Sequence, residues 1–173
     1  MGSVSEADEE WSDSDDAFWD EIVDMRDYAP RNKSPQMFRA VAWYPANHVR
    51  NTTMAPVPYL DNTLIARNPG APLTWANVRV HLRWYEEPTP FISFFKTFDM
   101  ALRWKNNFIR AGAYAVRIFC YNTRNVALLD ANQLARTLEF NSLEKLGKKH
   151  YHEYLAVSTI HGSNCAGFLE FRE

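Results

Sequence analysis

Apolar residues fall into short blocks whose spacing changes along the chain. Phe18, Trp19, Ile22 and Val23 recur at i, i+1, i+4 and i+5, which places one apolar stripe on a short helix within 17–28. The acidic residues 1–16 before it have no such period and read as disordered, and APRNKSPQ (29–36) reads as a Pro-flanked linker. MFRAVAWY (37–44) alternates as a strand does. Residues 45–75 are rich in Pro, Asn, Thr and Gly, hold no sustained period, and predict a long irregular stretch. In ANVRVHLRWY (76–85), Val78, Val80 and Leu82 oppose Arg79, His81 and Arg83, which fits a second strand, with a short helix as the alternative. FISFF (91–95) predicts a compact strand. TFDMALRWKNNFIRAG (97–112) is the clearest helix: Thr97 caps it, Asp99 suits its positive end, and Gly112 ends it. Its buried face should carry Phe98, Ala101, Leu102, Trp104, Phe108 and Ile109. AYAVRIFCYNT (113–123) predicts a strand, DANQLARTLEF (130–140) a helix capped by Asp130, and EYLAVSTI (153–160) and CAGFLEF (165–171) two further strands. Helices and strands intermix without regular βαβ alternation. The pattern therefore predicts one α+β domain over 37–173, preceded by a tail and linker over 1–36.

Composition sharpens this picture at two points. The 173 residues are 46% apolar and 14% aromatic, enough for a sizeable core, and no apolar run approaches membrane-spanning length. The net charge of −2 hides a split: residues 1–30 carry 11 acids and one base, and residues 31–173 carry 10 acids and 18 bases. An acidic tail with its own apolar stripe should dock on the basic body or on a partner, where it would shield or regulate a site. The basic body suits an anionic ligand, a protein partner or a nucleic acid, and Lys145, Lys148 and Lys149 are its one dense cluster. Cys120 and Cys165 lie in apolar, strand-like runs and read as two reduced thiols, with one bridge between neighbouring strands as the alternative. No metal-ligand spacing is present. The opening MGSVSEADEEW has neither a basic nor an apolar targeting region, which points to a cytoplasmic or nuclear protein, with secretion by another route left open. Asn51-Thr52-Thr53 is a glycosylation sequon that matters only in the secretory pathway.

Three segments carry candidate chemistry. Arg39 sits inside an apolar strand, where its charge needs a partner and its planar fork suits phosphate oxygens. Ser93 sits in the apolar strand PFISFF directly before a helix. Glu153 opens the apolar strand HEYLAV. Taken one at a time, these also fit a salt-bridged arginine, a serine bonded to backbone and an exposed strand-end carboxylate.

Their order is what resembles a known family. An arginine in a first strand, an aromatic–x–serine strand running into a helix, and a glutamate opening a late strand resemble the ADP-ribosyltransferase fold of the cholera and heat-labile enterotoxin type. The stretch Glu153-Tyr-Leu-Ala-Val-Ser-Thr-Ile160, the turn HGSN and then Cys-Ala-Gly-Phe are similar to the family's segment around its catalytic glutamate. Residues 37–171 as a whole also resemble an uncharacterised fungal domain family. The resemblance implies NAD+ as substrate, no metal, and an unknown protein or nucleic-acid acceptor, as for a fungal toxin or effector. It implies Glu153, Arg39 and Ser93 as catalytic residues. Arg39 would bind NAD phosphate and ribose, Ser93 would steady Glu153 and the nicotinamide ribose, Phe94 or Phe95 would stack on nicotinamide, and Lys96 would lie near phosphate. Arginine-modifying members carry a second glutamate two residues before the catalytic one. Here that position is Tyr151, followed by His152, so both are accessory or acceptor-side candidates and arginine modification is not implied. The alternatives are NAD+ hydrolysis, or a catalytically inactive domain of this fold that binds protein or nucleic acid.

Overall fold

The computed structural model describes residues 13–47, 58–85, 87–143, 145–146 and 150–172. The expectations for the acidic residues 1–12, the sequon at 51–53, and Lys148 and Lys149 concern residues outside these.

The described chain is a mixed α+β structure built on an antiparallel sheet. Its elements are α1 (Asp13–Asp20), β1 (Gln36–Trp43), β2 (Leu64–Ile65), α2 (Trp75–Leu82), β3 (Phe91–Phe95), α3 (Phe98–Arg110), β4 (Ala115–Asn122), β5 (Leu128–Asp130), α4 (Ala131–Ser142), β6 (Glu153–Val157), β7 (Thr159–Ile160) and β8 (Cys165–Arg172). Six strands form one sheet in the order β5-β6-β3-β1-β4-β8, and β2 pairs with β7 apart from it. Each strand pair is antiparallel. The switch from the large sheet to the small one occurs at Ser158, whose φ of 64° lies in the left-handed region. Its amide bonds Pro90 O and its carbonyl accepts from Ala66 N, so both halves of that peptide link are held while the chain turns.

Strand alternation sorts the core into two layers. On one face Ile92, Phe94, Tyr154 and Ala156 pack with Met37, Val41, Phe119 and Tyr121 beneath Leu64 and Ile160 of the small sheet. On the other face Phe91, Leu129 and Leu155 pack against Trp75, Val78 and Leu82 of α2 and Leu134 and Leu138 of α4. α3 lies on that second side, with Phe98 edge-on to Phe38.

Four elements differ from expectation. Residues 76–85 form mostly helix, not strand, because burying Trp75, Val78 and Leu82 uses the i, i+3, i+7 spacing and Thr74 caps the first turn through Asn77 N. The N-terminal helix ends at Asp20, before its predicted stripe is complete. Ile22 instead bridges Thr74, Val23 N donates to Leu73 O at 2.7 Å, and Val23 is buried while Ile22 faces outward. The stripe still meets the body: Phe18 stacks on Trp75 at 5.3 Å, and Arg79 lies 5.3 Å from the Trp19 ring. Within the irregular stretch, Leu64–Ile65 forms a short strand, and Leu128–Asp130 adds an edge strand that periodicity had not marked. Of the α3 face, only Ala101 is fully buried; its large side chains are half-covered. Cys120 and Cys165 are both free thiols.

Candidate functional site

Antiparallel pairing places Phe95 opposite Glu153 and Ser93 opposite Leu155, so Ser93, Phe95 and Glu153 share the helix-covered face. Alternation assigns Arg39 to the other face, with Met37 and Val41. β1 and β3 register only at Phe38 and Phe95 among the described residues, and beyond that pair Arg39 Nη1 donates to Ser93 O at 2.7 Å. Arg39 is buried. Burial draws its guanidinium down to about 10, against the opposing influence of Tyr121 and Glu153, so it remains a cation at neutral pH. Arg39, Ser93 and Glu153, which lie far apart in sequence, therefore meet in one cluster.

Two histidines complete it, and neither is a site candidate from the sequence pattern. His81, near the end of α2, has Nε2 2.8 Å from Ser93 Oγ and Nδ1 2.8 Å from Thr89 Oγ1. Burial is the main cause that lowers its pKa to about 4, partly opposed by Glu153 and reinforced by Arg39 and His150. A neutral imidazole can donate through one nitrogen and accept through the other, which is what two hydroxyl partners allow. His150 is fully buried, and its Nδ1 lies 2.6 Å from Glu153 Oε2. A tight turn sets this pairing, since Glu153 N bonds His150 O. Glu153 is itself buried, and His150 Nε2 has no hydrogen-bond partner among the described residues.

An aromatic wall adjoins the pair. Trp84 stands edge-on to both Trp104 (5.5 Å) and His150 (6.1 Å), and Trp104 stacks on Phe95 at 5.9 Å. Trp84 has φ 55° and is half-exposed. A bulky residue in the left-handed region is strained, and such strain concentrates at functional sites.

The remaining candidates separate. Phe94 is fully buried in the opposite layer, edge-on to Tyr121, and offers no ring surface to a ligand. Lys96 also points to that layer, where Nζ bonds Asp130 Oδ2 at 2.9 Å and lies over the Tyr154 ring. Tyr151 and His152 are exposed and line a cleft with Lys96, and Glu153 is not among its lining residues. Phe95 alone of the three proposed stacking and phosphate residues borders Glu153. Among the described residues, no three or more His, Cys, Asp or Glu side chains group as metal ligands would. No helix there is long and apolar enough to cross a membrane.

A signal for each missed histidine was present. Read as helix, His81 stands three residues after Val78, on the buried side of α2. His150 precedes Glu153 by three, the spacing of one turn.

Comparison with known proteins bears on the fold. The model of a domain of unknown function, DUF7587, matches residues 61–167. The chain belongs to the DUF7587 family. The matched range holds His81, Ser93, His150 and Glu153, and Arg39 precedes it. No curated protein sequence matches the chain. Among solved structures, this DUF7587 protein is similar to EcPltA, at a TM-score of 0.50 and 12% identity, over 79% of this chain and 75% of that one. That likeness concerns the fold alone.

Proposed function

We propose that the protein cleaves NAD+ and transfers its ADP-ribosyl group, with the cluster of Arg39, His81, Ser93, His150 and Glu153 as the active site. The observation that carries the reading is the convergence of Arg39, Ser93 and Glu153 from three strands. In NAD+ the nicotinamide leaves as a neutral base when the C1′–N bond breaks and takes the bonding pair, so positive charge develops on the ribose. A buried carboxylate is suited to stabilise that charge. The nucleophile, water or an acceptor group, then bonds C1′ and loses its proton to solvent or to Glu153. Arg39 supplies a fixed cation for phosphate oxygens, and neutral His81 holds the Ser93 hydroxyl in one orientation. Phe95 and Trp104 offer a flat ring surface for the nicotinamide. The likeness to EcPltA concerns the fold alone and is compatible with the reading.

The test is nicotinamide release from NAD+ by wild type and by Glu153→Gln. Wild type should release nicotinamide, and the variant should be slower by at least ~100-fold with an unchanged thermal melt. Equal rates would remove Glu153 from the chemistry. No release by wild type would leave a binding module. Release without label on any macromolecule would assign NAD+ hydrolysis.

A further inference from the structure

The end of β3, the start of β6, the first turn of α4 and the linker before β1 enclose a cleft of about 580 Å3. Arg31, Lys96, Arg136, Asp130, Tyr151 and His152 line it. Its one carboxylate is already engaged: Asp130 bonds Lys96 and accepts from Asn132 N and Gln133 N as the cap of α4. Arg31 and Arg136 have no ion pair among the described residues, so the cationic side chains of the wall, Arg31, Lys96 and Arg136, exceed its carboxylate by two. Beside them the Tyr151 ring is 54% exposed and stands edge-on to His152 at 5.0 Å. Guanidinium forks match phosphate oxygens, and an exposed ring next to them gives a flat base a face to stack on. The volume lies within the range of small-ligand clefts.

We propose that this cleft binds a mononucleotide, its phosphate between Arg31 and Arg136 and its base on Tyr151. The site is separate from the NAD+ chemistry proposed above and does not depend on it. Glu153 is not among the residues that line the cleft.

The experiment titrates 5′-AMP into the full chain and follows backbone amide NMR shifts. Saturable shifts at Tyr151, His152, Asn132 and Gln133 are expected. Arg31→Ala with Arg136→Ala should weaken binding by about tenfold or more, Tyr151→Ala by at least about fivefold, and inorganic phosphate should bind about tenfold more weakly than AMP. Arg103→Ala with Arg110→Ala, which removes two exposed cations of α3, should leave affinity within about twofold. The proposal fails if the cleft amides show no saturable shift, if phosphate binds as tightly as AMP, or if the α3 variant weakens binding as much as the cleft variant. Glu153→Gln should leave the AMP shifts in place while it removes nicotinamide release. Loss of both would place AMP in the Glu153 site and overturn a separate cleft.

Discussion

The two faces of β3 and β6 differ sharply. One face carries Ser93, Phe95 and Glu153, joined to His81 and His150 from outside the sheet. The other carries Phe94 and Tyr154 in closed packing, with the Lys96–Asp130 pair at its end. Consecutive residues thus serve separate purposes, because a strand turns each side chain over relative to the last. The polar face is held by hydrogen bonds to buried groups, where losing a partner is costly, and the apolar face by volume.

Removing volume is the strongest way to test that division. Phe94→Ala empties a fully buried site and should cost about 3–5 kcal/mol in urea unfolding. Phe95→Ala, half-buried against Trp104, should cost clearly less and should fall mainly on nicotinamide release. Equal stability losses from the two would mean that the faces are not distinct in packing.

Acid sharpens the same comparison from the polar side. The folded pKa of His81 is about 4, below its ordinary 6.5, so the folded state binds fewer protons than the unfolded chain between those values. Stability from this group is complete above about pH 6.5 and is lost as pH falls toward 4, by up to about 3 kcal/mol. The pH dependence of urea midpoints over that window should flatten in His81→Asn. An unchanged slope in that variant would show that some other group governs the window.

Much of this was legible in the sequence, and the residues say why. Glu153 and Arg39 stood out because a charge in an apolar strand is rare without a purpose, and Thr97 and Asp130 announced their helices as caps. His81 was hidden because Val78, Val80 and Leu82 also satisfy a strand period, which turned the histidine toward solvent. Only the tertiary burial of Trp75 settles the helix. Phe94 and Lys96 were drawn to the site by their nearness to Ser93 in sequence. Their true face depends on pairing register, which no local pattern sets. The turn at Ser158 is a backbone choice held by Pro90 and Ala66, and neither neighbour is near in sequence.

The smallest expected effect isolates one hydrogen bond on the polar face. His150 holds Glu153 Oε2 from a fully buried position. His150→Leu keeps the volume but removes the donor, so the carboxylate is free to rotate. Nicotinamide release should fall by about tenfold, in line with the ~1.5 kcal/mol of a hydrogen bond to a charged group, and the loss should appear in kcat with KM for NAD+ little changed. His150→Asn places an amide N–H close to the former Nδ1 and should recover most of the rate. If both variants melt like wild type yet Asn recovers nothing, the imidazole is needed for proton transfer, and a shifted pH–rate profile of the Asn variant would show it. If Leu costs nothing, the carboxylate is oriented by Arg39 and the strand alone, and the polar face would depend on position as little as the apolar face depends on charge.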